Sequence, residues 1–138
     1  MSLYVLDTDC LTLLLRGQTA ISRRAAVHDP AELALTIVTV EETLTGRYTQ
    51  LRRAKKDEQL IRAYAALQQA VEFTARVRIL PFDETALERF QDLRSSNRRV
   101  GTNDLRIAAV VLVHAAILVT RNLRDFEGLP DLQLEDWS

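Results

Sequence analysis

Asp7 and Asp9 flank a single threonine in MSLYVLDTDCLTLLL, between two apolar runs that both read as core. A carboxylate ending an apolar strand costs free energy to desolvate and gives a fold little in return, so Asp7 reads as a functional acid. Three more acids stand in comparable places: Glu42 after the apolar run LALTIVT, Asp104 just after Thr102, and Asp125 after ILVT. Carboxylates gathered in one cleft repel one another and become tolerable when hard divalent cations neutralise them or some members stay protonated. Mg²⁺ is the natural partner of such an oxygen-only set, with Mn²⁺ as its close substitute. The lack of a Cys/His cluster disfavours zinc, and the lack of an Asp-x-Asp-x-Asp-Gly loop disfavours an EF-hand calcium site. His28 and His114 lie in helical segments without ligand spacing.

Taken singly, each of these acids has a structural reading as well. Thr39-Val40-Glu41-Glu42 matches a capping box, in which the Glu42 side chain would bond the N–H of a Thr39 cap. Asp104, two residues after Thr102, suits the first turn of a helix, where it favours the dipole. Asp125 reads as a loop acid, and Asp9 as the N-cap of a helix beginning near Cys10. What sets the four acids apart is their joint placement.

That placement follows from the elements. LYVL, LALTIVT, Val77–Pro81, ILVT and LQLEDW read as strands. Between them lie helix candidates: CLTLLL closed by Gly17, Ile21–His28, VEETLTGRYTQLRRAKK, Asp57–Arg76, Asp83–Arg94, and an apolar helix capped by Thr102. Strands apolar along their whole length, alternating with helices, predict an α/β fold: a three-layer α/β/α sandwich with a mostly parallel central sheet. In such sheets the ligand crevice lies beyond the carboxyl ends of the strands, where Asp7, Glu42, Asp104 and Asp125 would meet.

Length and composition fit this picture. The chain's 138 residues suit one domain, and 47% hydrophobic with 27% charged residues is the balance of a globular core. The longest apolar run, Ile107–Val119, is too short to span a bilayer. Cys10 has no disulfide partner, which suits a buried thiol and the cytoplasm. Net charge is −1, yet the eighteen basic residues include only two lysines, Lys55 and Lys56. The rest are arginines, whose planar donor fork suits phosphate. Arg98 and Arg99, with Arg121 and Arg124, flank Asp104 and Asp125 in sequence and are candidates for a phosphate-holding rim. In the helix over Asp57–Arg76, Leu60, Tyr64, Leu67 and Val71 form an apolar stripe, which reads first as core and second as an interface.

Four segments in order, VLDTDCL, TIVTVEETLTG, GTNDLRIAAVVLVHAAILVTRN and RDFEGLPDLQLEDW, resemble the PIN-domain ribonucleases, specifically the VapC-type toxins of prokaryotic type II toxin–antitoxin pairs. The resemblance implies that Asp7, Glu42, Asp104 and Asp125 bind metal, with Thr120 and Asn122 as supporting polar groups. It selects Glu42 over Glu41, and Asp104 over Asn103. It implies an endoribonuclease that hydrolyses RNA phosphodiesters to 5′-phosphate and 3′-hydroxyl ends, a small antitoxin partner and a homodimer. Two positions depart from the family habit: Asp9 stands where Asn is common, and Thr43 where Leu often follows the early-helix acid.

Two other readings use the same residues. Asp7-Thr8-Asp9 also fits the nucleophile motif of Asp-x-Asp phosphatases and the acid pair of phospho-acceptor domains. Both need a lysine near the phosphate, and neither Lys55 nor Lys56 is placed for it. A catalytically inactive PIN-like binding module would be free to lose one of the four acids, and all are present.

Overall fold

In the computed structural model, which describes residues 2–138, the apolar runs become five short strands. They are β1 (Tyr4–Leu6), β2 (Leu33–Thr36), β3 (Arg78–Leu80), β4 (Ile117–Val119) and β5 (Gln133–Glu135). The helices are α1 (Thr8–Leu15), α2 (Thr19–Ala26), α3 (Ile37–Arg53), α4 (Asp57–Thr74), α5 (Glu84–Ser96), α6 (Thr102–Val113) and α7 (Leu123–Phe126). The strands lie in the order β3-β2-β1-β4-β5, and every neighbouring pair is parallel.

Successive strand residues face opposite sides of a sheet. Val5, Ala34, Leu80 and Leu118 accordingly enter one core, with Phe90 and Leu93 of α5 and Leu105 and Ala109 of α6. Leu6, Leu35 and Val119 enter the other, with Cys10 and Leu11 of α1 and Ile21 of α2. The result is the expected three-layer sandwich, with a sheet that is wholly parallel. From β1 the chain passes to β2 on one side, and it later returns to pair β4 on the other, so the order reverses at β1. The crevice at that reversal is where α/β sheets bind ligands.

Several boundaries differ from the sequence reading, each for a local reason. Strand β2 stops at Thr36 because the Thr36 hydroxyl accepts the Thr39 N–H at 3.1 Å and caps α3. Ile37–Thr39, extended by propensity, is therefore helical. The N-cap of α1 is Asp7, not Asp9: its Oδ1 accepts the Cys10 N–H at 2.8 Å. Gly101, not Thr102, occupies the N-cap of α6 and offers no side-chain bond. Asp125 lies within the short helix α7 rather than in a loop.

The α4 stripe is not core. Leu60, Tyr64 and Val71 are exposed, as is Ile61 at 68%, while the residues α4 buries are Ala63 and Ala70. Leu67 is half-buried and Phe73, near the end of α4, packs against the core around Leu6 and Leu35, so the outer face is made by the other large side chains. Among the described residues no helix is long and apolar enough to cross a membrane.

Candidate active site

Three of the four acids meet at the reversal point. Asp7 follows β1, Glu42 sits in the second turn of α3, and Asp104 sits in the first turn of α6. They line one open cleft of about 710 Å³, together with Thr8, Thr12, Arg121 and Asn122. Asp125 does not line it. It stands behind Asn122, whose side-chain amide donates to Asp125 Oδ2.

Asp7 is 7% exposed. Burial pushes its carboxyl above the ordinary value, against the lowering effect of hydrogen bonds from Cys10 and Thr120. Capping and functional placement thus coincide in one side chain: one oxygen is committed to the start of α1. Asp104 is also raised, first by burial and then by the negative charges of Glu42, Asp7 and Asp125. The buried Thr120 lies beside Asp7, whose carboxyl its hydrogen bond lowers, and also accepts the Asn122 N–H at 2.9 Å.

Glu42 makes no capping box with Thr39, because the helix begins earlier. Its carboxylate is held instead from two other elements. The Thr8 hydroxyl donates to Oε1 at 2.6 Å, and the Asn103 amide donates to Oε2 at 3.2 Å. Arg106, one turn on from Asn103, donates to its Oδ1 at 2.8 Å and fixes that amide's orientation. The sequence gives Thr8 no role, ranks Asp104 above Asn103, and offers Arg106 only as one of the arginines near Asp104. The i, i+3 spacing of Asn103 and Arg106 was the available signal, but only the fold brings Glu42 opposite them.

As these side chains stand, no three Asp, Glu, His or Cys groups among the described residues are close enough to enclose a metal ion. The donor chemistry nonetheless fits a hard divalent cation. The set is all oxygen, partly desolvated and mutually repelling, and no lysine among the described residues lines the cleft. Lys55 and Lys56 lie at the turn between α3 and α4, which leaves the phosphatase and phospho-acceptor readings without their cation. Cys10 is no nucleophile: burial and the neighbouring Asp7 charge push its thiol far up. His28 stacks on Trp137 and His114 ends α6, so both stand outside the cleft.

Of the candidate arginines, Arg121 reaches the cleft, with Nη1 3.8 Å from Asp9 Oδ2. Arg124 is exposed on α7 and Arg99 is exposed before α6. Arg98 lines a separate depression of about 580 Å³ with Arg94, Thr102 and Leu105.

The sequence matches the PIN domain over residues 4–132. Ribonuclease VapC1 of Haemophilus influenzae strain R2866 is 30% identical over 142 residues, covering 99% of this chain and 98% of that one. Among solved structures, the DNA-bound VapBC from Salmonella typhimurium superposes with a TM-score of 0.80 at 24% identity, over 100% of both chains. VapBC-5 from Mycobacterium tuberculosis, a member of the VapBC family of toxin–antitoxin systems, superposes with a TM-score of 0.64 at 25% identity over 99% of both.

Proposed function

The chain belongs to the PIN-domain family, and from that premise we propose that it is a metal-dependent endoribonuclease and the toxin of a type II toxin–antitoxin pair, built as one nuclease domain over residues 1–138. The observation that carries this reading is the convergence of Asp7, Glu42 and Asp104 in the crevice where the strand order reverses. Asp104 is raised in part by the charges of Glu42 and Asp7, so the free site is electrostatically incomplete.

Asp7 and Asp104 would hold the cation, Mg²⁺ or in its place Mn²⁺. Glu42, oriented by Thr8 and Asn103, would complete the donor set for it. When bound, the cation supplies Lewis-acid activation of water and neutralises charge on the leaving oxygen of the phosphodiester. Asp125 acts at one remove, through its bond from Asn122. Thr120 keeps the buried Asp7 carboxyl aimed at the cleft. An acidic cleft repels RNA, so Arg121 and Arg124 draw in the phosphates nearest the cut, and Arg98 and Arg99 those farther along.

The exposed apolar face of α4, with Leu60, Ile61, Tyr64 and Val71, is the surface on which the chain forms a homodimer. A small antitoxin is its second protein partner, and the cytoplasm its place of action.

The test is to incubate purified protein, freed of any co-purifying partner, with cellular RNA in chelator, Mg²⁺ and Mn²⁺, beside Asp7→Asn and Asp104→Asn. Cleavage that requires metal and is lost in both variants is the expected result. RNA left intact under every metal, with a phosphate ester turned over at Asp7 instead, would overturn the assignment.

A further inference from the structure

Asp9 is the acid the proposed chemistry leaves unused. It caps nothing, since Asp7 does that, and it is exposed on the first turn of α1. Its carboxylate faces the guanidinium of Arg121, 3.8 Å away, and both side chains line the cleft that holds Asp7, Glu42 and Asp104. The backbone beneath Arg121 is fixed, because the preceding Thr120 N–H donates to Glu135 O at 2.9 Å. Asp136 is held below its ordinary value first by hydrogen bonds from Ser138 and then by the charges of Arg121 and Arg24.

At the mouth of an acidic cleft the Arg121 guanidinium pairs with Asp9 and not with Asp7, Glu42 or Asp104, and the pairing is loose. The Asp9 side chain is 65% exposed and that of Arg121 is 49% exposed, so the pair is solvent-screened and exchanges at little cost. Carboxylate and phosphate offer the same fork of acceptor oxygens to a guanidinium.

We propose that Asp9 is an internal stand-in for a substrate phosphate: it parks Arg121 at the lip of the cleft in the free protein and yields it to an RNA phosphate when substrate binds. This rests on the ribonuclease reading, which already gives Arg121 to the RNA, and adds to it a positioning residue, Asp9, which competes with RNA. The competition predicts a sign opposite to that of an ordinary binding residue. Removing the Asp9 charge releases Arg121 and tightens RNA binding, whereas removing Arg121 weakens it.

The experiment is a double-mutant cycle on Asp9→Asn and Arg121→Ala. It reads KM and kcat separately for Mg²⁺-dependent cleavage of an oligoribonucleotide spanning a mapped cut site, at low and moderate salt. Asp9→Asn alone is expected to lower KM about 2–5-fold at low salt, the range of an exposed ion pair. In the Arg121→Ala background the same substitution should leave KM unmoved. An equal fall in both backgrounds would mean that Asp9 acts only as a bulk negative charge, and the proposal fails. A rise in KM or loss of metal-dependent cleavage with Asp9→Asn would make Asp9 part of the metal site, and the proposal fails as well. Wild-type protein that cleaves while the cycle shows no coupling sinks this inference alone. Wild-type protein inert toward RNA under every metal sinks the ribonuclease reading and this one together.

Discussion

Asp7 carries two roles that substitution can separate. Its Oδ1 caps α1 through the Cys10 N–H, and its charge is buried at the site. Asp7→Asn keeps an acceptor oxygen for the cap and removes the charge; Asp7→Ala removes both. Because both variants lose the same charge, the stability gap between them isolates the cap, worth about 1 kcal/mol. For a chain of this size that gap corresponds to about 4 °C in Tm. The charge itself works the other way. Burial raises the Asp7 carboxyl, so the folded protein carries an unfavourable anion at neutral pH, and Asp7→Asn should be at least as stable as wild type in chelator. That penalty is fully present above the raised folded value and is relieved as pH falls through it, so the advantage of Asp7→Asn shrinks on acidification. The assay is thermal unfolding from neutral to acid pH in chelator, repeated with Mg²⁺, beside RNA cleavage. Both variants should lose cleavage by about 100-fold or more, as expected for a group at the reacting centre. Equal melting of Asp7→Asn and Asp7→Ala would refute the capping assignment. Metal-dependent cleavage retained by Asp7→Asn would refute the role of the charge.

Asp104→Asn should raise Tm in chelator at neutral pH, since burial and the charges of Glu42, Asp7 and Asp125 all disfavour the ionised form. Added Mg²⁺ should then stabilise wild type more than the variant, and the reverse order in a thermal-shift series would contradict the cation site. Thr43 is 4% exposed and its hydroxyl has no partner, so Thr43→Val, which keeps β-branching and shape, should stabilise by about 1–2 kcal/mol in urea unfolding; a loss of stability would mean the hydroxyl is satisfied. Sedimentation of wild type at micromolar concentration should show a dimer that Ile61→Asp on the exposed α4 face dissociates, and a wild-type monomer would remove α4 as an interface.

The sheet was legible because parallel strands buried on both faces are apolar throughout, and ILVT and LYVL could be little else. Asp7 was legible as a cleft residue for a related reason, since an acid ending such a run has few structural uses, whereas Asp104 stood out only through its company with the other acids. What misled was chemistry that serves two ends. Ile37-Val38-Thr39 is β-branched and favours strand, yet the Thr36 hydroxyl starts a helix there and moves Glu42 from the first turn to the second. The Thr39–Glu42 spacing imitated a capping box whose acid the fold instead hands to Thr8 and Asn103. Asp7 and Asp9 both had the right type to cap α1, and local spacing alone did not choose between them. The α4 stripe has helical periodicity whether it faces a core or a partner, so only packing reveals that its alanines lie inside.

The placement of β1 between β2 and β4 has a consequence for the order in which the molecule is made. Tyr4 pairs with Leu33 on one side and with Ile117 on the other, and the Asp7 N–H donates to Val119 O. Asp7 and Glu42 are synthesised well before Asp104 and the strand that fixes Asp7. Contacts this distant form only after the long intervening loop has closed. A chain emerging from the ribosome therefore carries half a cleft until β4 has been made and has docked beside β1. The cleft is thereby completed by topology, when the distant β4 docks beside β1.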